Sequence, residues 1–452
     1  MRSMTIGEAA KAVGGTINRP EIADRLIHGV STDTRLDTDG KLFVPLAGAG
    51  RDGHDFIHEA IKGGAVCVFS ARQTDADAII VKDTGQALKD FAEYYRQLFD
   101  VKVIGITGSY GKTSTKDLMA AVLAEKYNVV KTFANHNNEI GLPLTIFDID
   151  DGTDVVVLEM GMDRRGEISR LSKIARPDYA VITIIGVAHI ENLGSQEEIF
   201  NAKSEIFDYL ATDGKIFLNG DDDFLNRYRG RANTTFYGYG ADNAYRASDA
   251  QDNGLSGLQY TATLRSGEKV DISVPSPGMP MVMNSLVAAA LGDEFGLSAA
   301  QITAGISKYT PSGMRMSIID TPGGVKIIAD CYNASPASVK AALDVLNRAE
   351  GNTIAILGDM LELGEASSDM HYDTGATAAR LGTGTIVCVG ENSQHTYEGA
   401  LSIDSDSRII YFANKDECIA QLPILVKAGD TVLVKASRGK RFEDIVDHLS
   451  NH

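Results

Sequence analysis

Apolar residues recur along this chain in two rhythms. Short runs such as Val155-Val-Val-Leu158, Ala180-Val-Ile-Thr-Ile-Ile185 and Thr353-Ile-Ala-Ile-Leu357 have the length of strands buried on both faces. Between such runs lie stretches with helical spacing: Leu88, Phe91, Tyr95 and Leu98 within Gln86–Phe99, and the segment Ser338–Arg348. The first region, to about residue 84, places the runs Lys41–Leu46, Ala65–Phe69 and Ala78–Val81 among Gly- and Asp-rich turns. The middle region opens with a strand at Val101, and its residues 230–275 break the rhythm with short Thr-, Tyr- and Gly-rich strands expected to pair antiparallel. Tyr309-Thr-Pro-Ser-Gly-Met314 reads as the second boundary. Beyond it, Lys326–Ala329, Thr353–Leu357, Thr385–Val389 and Thr431–Val434 alternate with helices. Strands alternating with helices imply parallel sheets, so the chain is predicted to be α/β, in three domains at 1–84, 85–310 and 311–452.

Length agrees, since 452 residues suit roughly three domains of about 150 each. A content of 44% hydrophobic and 23% charged residues excludes a disordered or collagen-like chain. With Lys+Arg 43 against Asp+Glu 61, the net charge is −18, which argues against a nucleic-acid partner. Any phosphate must therefore be held by a local cluster. No apolar run approaches the ~18 residues of a membrane span, and the opening Met1-Arg-Ser-Met reads as folded chain and not as a signal peptide. Cys67, Cys331, Cys388 and Cys418 are scattered without metal-ligand spacing, as expected of buried thiols in a reducing cytoplasm.

The strongest local chemistry follows Val101. An apolar strand runs into Gly108-Ser109-Tyr110-Gly111-Lys112-Thr113-Ser114 and then into a helix with Leu118, Met119, Val122 and Leu123 on one face. Glycines let backbone N–H groups converge on an anion, and a helix N-terminus adds partial positive charge. Lys112 would reach the β- and γ-phosphates of ATP, and the Thr113 hydroxyl would ligate Mg²⁺. The spacing departs from the usual phosphate loop, because Ile106 stands at its first glycine position; the bland alternative is a strand–turn–helix with a solvated lysine. Glu159 directly after Val155–Leu158, and His189 past Ile185, sit where open α/β sheets gather their ligands. Each alone could be a loop carboxylate or a packed histidine. Lys203 falls within the apolar stripe Ile199, Phe200, Ala202, Ile206 and Phe207, where it either snorkels outward or has its charge used.

Taken together these stretches resemble the Mur ligases, ATP-dependent amide-forming enzymes of peptidoglycan synthesis, along essentially the whole chain. The T-G-x-x-G-K-T loop is that family's version. Asn135-His-Asn-Asn-Glu-Ile-Gly-Leu-Pro-Leu-Thr145, Asp330-Cys-Tyr-Asn-Ala-Ser-Pro336 and Leu357-Gly-Asp-Met-Leu-Glu-Leu-Gly364, with His371 after it, are similar to signatures of the branch that takes D-alanyl-D-alanine. Ala134 stands where a glycine is common, Ser335 where an asparagine is, and Pro280 and Met281 where His and Asn are common. The diaminopimelate-adding relatives' D-N-P-R motif is absent.

The resemblance implies a central P-loop-type parallel-sheet ATPase domain between a small N-terminal α/β domain that binds a UDP-sugar and a C-terminal Rossmann-like domain. Ser31, Thr32 and Arg51, in Val30–Arg35 and Leu46–His54, would cradle UDP, although these turns read equally well as Gly-rich surface. Lys112, His189 and Lys203 would be catalytic, with Thr113, Glu159, His189 and a carbamylated Lys203 holding two magnesium ions. Asn284, Arg315, Asp330 and Asn333 would complete the ATP site. Asn135, Asn137, Asn138, Lys435 and Ser437 would meet substrate, with Arg438 beside them. The implied reaction moves the γ-phosphoryl group of ATP to the terminal carboxylate of UDP-MurNAc-tripeptide, after which D-alanyl-D-alanine displaces phosphate from the acyl phosphate. A monomeric enzyme is expected. Two other readings are an amide ligase adding a different amino acid or acting on folate, and a nucleotide-dependent switch without ligase chemistry.

Overall fold

The computed structural model describes residues 1–48 and 50–451. Its contacts divide it into two compact units: Met1–Thr107 with Tyr127–Val181 and Ala202–Ile216, and Gly108–Lys126 with Ile182–Asn201 and Phe217–His452. The predicted α/β texture is present in both.

In the first unit a five-stranded sheet runs in the order Thr16–Ile17, Ala78–Ile80, Cys67–Ser70, Leu42–Phe43, Val30–Ser31, antiparallel only at its first pair. Phe43, Val68 and Ala78 bury one face against helix Ile57–Lys62. Helix Thr84–Arg96 follows, N-capped by the Asp83 side chain, with Leu88, Phe91, Ala92 and Tyr95 fully buried. It is locked in place by polar groups as well: the Tyr95 hydroxyl donates to the carbonyl of Ile149 (2.6 Å), and buried Arg96 donates to the carbonyls of Ala175, Phe99 and Val101. Strands Tyr179–Ile182, Lys102–Thr107, Val155–Glu159 and Val129–Lys131 come next in that spatial order, the last three paired in parallel. Apart from the partly exposed edge strand Val129–Lys131, their apolar runs are buried on both sides, as the unbroken hydrophobic pattern requires.

In the second unit, helix Lys112–Leu123 packs against helices Pro280–Glu294 and Ala299–Ser307. Gly305 permits the approach, since a Cβ there would lie 2.5 Å from Cα of Val122. Strands Lys269–Val274, Leu258–Thr263, Tyr245–Asp252, Thr234–Gly238 and Lys215–Asn219 adjoin in that order. The expectation of antiparallel pairing across 230–275 is corrected at one place. Thr234–Gly238 meets Tyr245–Asp252 in parallel, over only Tyr237↔Tyr245 and Gly238↔Arg246. The Asp221 carboxylate makes this short crossover possible by accepting the N–H groups of Tyr239 (2.7 Å) and Gly240 (3.1 Å). Leu258–Thr263 pairs antiparallel with both Tyr245–Asp252 and Lys269–Val274.

The third region forms a six-stranded sheet, in the order Ser317–Asp320, Lys326–Ala329, Thr431–Lys435, Thr353–Gly358, Thr385–Val389, Arg408–Phe412, parallel except at the first pair. One face packs on helices Pro336–Leu346, Ser367–Arg380 and Ser393–Leu401, and the other on Lys415–Leu425 and Glu443–Ser450. All four cysteines are buried, and loss of solvent pushes the Cys331 and Cys418 thiols up to about 12. No helix among the described residues is long and apolar enough to cross a membrane.

Two features of this region give direct tests. Helices Ser367–Arg380 and Ser393–Leu401 touch backbone to backbone: a Cβ at Gly375 would lie 1.8 Å from the carbonyl oxygen of Thr396. Gly375→Ala should therefore cost about 1–3 kcal/mol, read as a lowered urea midpoint. Fully buried His371 accepts the Met360 N–H at Nε2 (3.0 Å), and its Nδ1 lies 2.7 Å from the carbonyl of Ser367, so the ring is neutral. Burial depresses its pKa below the ordinary 6.5. As pH falls below about 6.5 the unfolded chain takes up a proton that the folded chain refuses, so this contribution is complete above that pH and is lost below it. Urea midpoints at pH 7.5 and 5.5 should fall further for the wild type than for His371→Gln.

Candidate active site

The second unit holds the Gly-rich turn. Strand Lys102–Thr107 ends at Gly108 (φ +147°), and Gly111 (φ +79°) opens helix Lys112–Leu123 with no side-chain cap. Both glycines are demanded by space as well as by dihedral. A Cβ at Gly108 would lie 1.9 Å from Oγ1 of Thr183, and one at Gly111 would lie 2.7 Å from Oδ1 of Asn284. The segment after strand Tyr179–Ile182 fastens the turn. Ser109 N–H donates to the carbonyl of Ile184 (2.8 Å), Gly186 N–H to the Ser109 hydroxyl (2.8 Å), and the Thr183 hydroxyl to the carbonyl of Tyr110 (2.6 Å). Predicted strand Val181–Ile185 is cut short at Ile182 for this reason.

Lys112 Nζ donates to the carbonyl of Gly108 (2.7 Å), which lays its charge across the turn. Thr113 is buried, and Ser114 shares a hydrogen bond with the Tyr309 hydroxyl, whose pKa burial raises to about 12. The Tyr110 hydroxyl accepts Val187 N–H (3.2 Å) and bonds the hydroxyl of Ser335, which also caps helix Pro336–Leu346. Asn284 is buried with its amide against Gly111, so it is placed beside the Gly-rich turn itself. Pro280 occupies the first turn of its helix, where a missing N–H costs nothing.

His189 is left-handed (φ +66°) and its Nδ1 lies 2.8 Å from Oε2 of Glu362, itself at φ +65°. The imidazole beside it holds the Glu362 carboxyl below its usual range. Glu362 lies in the quoted stretch Leu357–Gly364, yet no spacing argument marked it as a site residue. The turn that carries it is fixed three ways: His371 takes Met360 N–H, Ser437 Oγ takes Leu361 N–H (2.9 Å), and the Asp359 carbonyl takes Ser437 N–H (3.1 Å).

Lys435 is 2% exposed and turned inward, with Nζ 2.5 Å from Oδ2 of Asp330 and 3.0 Å from the carbonyl of Asn333. Ser437 is likewise buried. The Arg315 guanidinium stacks 3.6 Å over the Tyr332 ring, with Arg438 5.7 Å from the same ring.

In the first unit Glu159 is 1% exposed, and its Oε1 accepts from the Asn137 amide (2.8 Å). Asn138 Oδ1 accepts the N–H groups of Ile140 and Gly141, capping helix Gly141–Ile146, while Asn135 stays exposed. Ala134 adopts φ +46°, which explains why a glycine is at home there. Lys203, on helix Gln196–Ser204, is 1% exposed; the snorkelling alternative is excluded. Ser31 Oγ donates to the carbonyl of Asp33 (3.1 Å) in a tight turn, Thr32 is half-buried and Arg51 is exposed. Ala49, in the neighbouring Leu46–His54 turn, lies outside the described residues.

Comparison with known proteins follows these features along the chain. Residues 26–100 match the Mur ligase family, catalytic domain; 106–292 match the Mur ligase middle domain; and 314–438 match the Mur ligase, glutamate ligase domain. A UDP-N-acetylmuramoyl-tripeptide–D-alanyl-D-alanine ligase of Bacillus subtilis (strain 168) is 38% identical over 457 residues, covering 99% of this chain and 99% of that protein. A crystal structure of MurF from Acinetobacter baumannii superimposes with a TM-score of 0.91 at 28% identity, covering 100% of both chains. MurF ligase from Thermotoga maritima in complex with ADP gives a TM-score of 0.82 at 28% identity, over 94% of this chain and 97% of that one. End-to-end likeness at this level, in sequence and in fold, leaves one assignment: the chain belongs to the Mur ligase family.

Proposed function

We propose that this chain is the ATP-dependent ligase that joins D-alanyl-D-alanine to the terminal carboxylate of UDP-MurNAc-tripeptide, making a peptidoglycan precursor. Full-length relatives bear that activity in their names. The single structural observation that carries the reading is the uncapped helix start at Gly111-Lys112, with backbone N–H groups and one lysine gathered on a turn built for an anion. The likeness to an ADP-bound relative fits ATP at that turn.

The chemistry asks little covalent work of the protein. A carboxylate must be phosphorylated beside an anionic triphosphate, so charge compensation and alignment do most of the work. Lys112 and the loop N–H groups hold the phosphates. Phosphoryl transfer forms a carboxyl O–P bond and releases ADP. The amine then attacks the activated carbonyl, the C–O bond to phosphate breaks, and the amine gives up a proton. Arg315, parked on Tyr332, and Asp330 and Asn333 complete the nucleotide site in this reading. Lys435, at the end of strand Thr431–Lys435, and Ser437, just past it, meet substrate, and their partners Asp330 and Leu361 make them supports for the turns there. Ser31, Thr32 and Arg51 bind the UDP-sugar, and Asn135, Asn137 and Asn138 the tripeptide side.

Magnesium favours oxygen donors, and the Thr113 hydroxyl and the buried Glu159 carboxylate are of that kind. His189 and a carbamylated Lys203 join them; Lys203 is 1% exposed, and carbamylation would replace its ammonium with an oxygen anion. When bound, magnesium offsets phosphate charge. The buried thiols fit a monomer working in the reducing cytoplasm.

The assay is phosphate release from ATP with UDP-MurNAc-tripeptide carrying either diaminopimelate or lysine, with and without D-alanyl-D-alanine. Release should depend on the dipeptide and yield the pentapeptide amide; equal release without it would contradict the assignment. Lys203→Ala should lose most turnover, partly restored by millimolar formate or acetate, and full activity in the unsupplemented variant would remove the carbamate.

A further inference from the structure

We propose that Arg438 determines specificity for the incoming amine: its guanidinium takes the terminal carboxylate of D-alanyl-D-alanine, with Tyr332 and Leu361 as walls for the methyl groups. The proposal rests on the ligase reading above and names the subsite of its second substrate. Three neighbouring strands of the third region, Lys326–Ala329, Thr431–Lys435 and Thr353–Gly358, run parallel and so end on the same edge. Tyr332, Arg438 and Leu361 each follow one of those carboxyl ends, where open α/β sheets gather their ligands. They are close in space as well. The Arg438 guanidinium lies 5.7 Å from the Tyr332 ring centroid, and a Cβ at Gly439 would lie 3.2 Å from Cδ1 of Leu361.

The other cations of Lys435–Arg441 are turned elsewhere. Lys435 points inward, 2.5 Å from Oδ2 of Asp330, and Lys440 Nζ lies 2.7 Å from Oδ2 of fully buried Asp359. Arg441 lies 3.6 Å from Asp444, a carboxylate that Lys415 also pairs with. Arg438 keeps its side chain 58% exposed over a backbone that is fixed. Beneath it, Ser437 N–H donates to the carbonyl of Asp359 (3.1 Å) and Ser437 Oγ accepts Leu361 N–H (2.9 Å). Arg438 Nη1 sits 3.1 Å from Oε1 of Glu443, which engages one edge of a group with five N–H donors. The donors that remain form a planar fork suited to a carboxylate or a phosphate. The walls favour the dipeptide. Leu361, 38% exposed, and the half-buried Tyr332 ring offer apolar contact from which methyl groups gain and phosphate oxygens do not. Arg315, stacked 3.6 Å over the same ring, is the guanidinium assigned above to ATP, so each anionic substrate has its own.

Initial rates of the full-length protein with ATP and UDP-MurNAc-tripeptide are compared for D-alanyl-D-alanine and D-alanyl-D-alaninamide, which lacks the terminal carboxylate. Wild type should prefer the acid in kcat/KM by about 10-fold or more. Arg438→Ala should use the two about equally. Arg438→Lys, which keeps the charge without the fork, should fall between them, and it carries the test if the alanine variant does not fold. Full preference for the acid in both variants, or a wild type indifferent to the amide, would overturn the subsite and leave the ligase reading standing. A raised KM for ATP in Arg438→Ala, with the preference intact, would overturn it by placing the fork on phosphate. No turnover of either dipeptide by the wild type would overturn the ligase reading, and this subsite with it.

Discussion

The second unit depends on how closely the backbone of the phosphate turn approaches what lies behind it. With 1.9 Å between a would-be Cβ of Gly108 and the Thr183 hydroxyl, no other residue fits unless the segment after strand Tyr179–Ile182 retreats. That segment cannot retreat cheaply. Its Thr183 and Ile184 oxygens are bonded to the turn, and Ile185 N–H donates to buried Asp222 (2.8 Å). The turn is therefore fixed from behind, while the first N–H groups of helix Lys112–Leu123 have no side-chain cap. Preorganised donors of this sort carry no reorganisation cost at the moment of reaction.

This constraint also explains which parts of the fold were readable beforehand. Strands buried on both faces, such as Val155–Glu159 and Thr353–Gly358, announce themselves by unbroken apolar runs. The edge strand Ser317–Asp320 is only half buried, and its two apolar residues make no run of that kind. The parallel contact of Thr234–Gly238 depends on Asp221, a carboxylate on another turn, and no local pattern reports it. The shortening of Val181–Ile185 follows from partners more than 70 residues earlier in the chain.

Site residues divide along the same line. Gly108, Gly111 and Lys112 are a local motif whose spacing carries its own meaning. Lys203 was visible as an anomaly because a charged residue broke an apolar stripe, and burial resolves the direction it faces. Lys435 shows the opposite case: a lysine after a buried strand can point either way, and only the fold brings Asp330, 105 residues away, against it. Glu362 sits inside a recognisable stretch that marks no site residue, because the imidazole beside it, His189, lies far back in the sequence.

Charge accounts for why the buried lysines cannot be treated alike. In a chain of net −18, positive potential near a triphosphate must come from particular side chains. Lys435 is balanced by Asp330 at 2.5 Å, and Lys116 lies 3.4 Å from Asp117, which also accepts the Ser312 hydroxyl. Pairs like these anchor turns and helices, but their fields largely cancel at a distance. Lys112 Nζ donates to the Gly108 carbonyl (2.7 Å), a contact within the turn itself. A lysine committed to a carboxylate must break an ion pair before it can take a phosphate, so Lys435 and Lys116 are built as anchors of the fold around the turn.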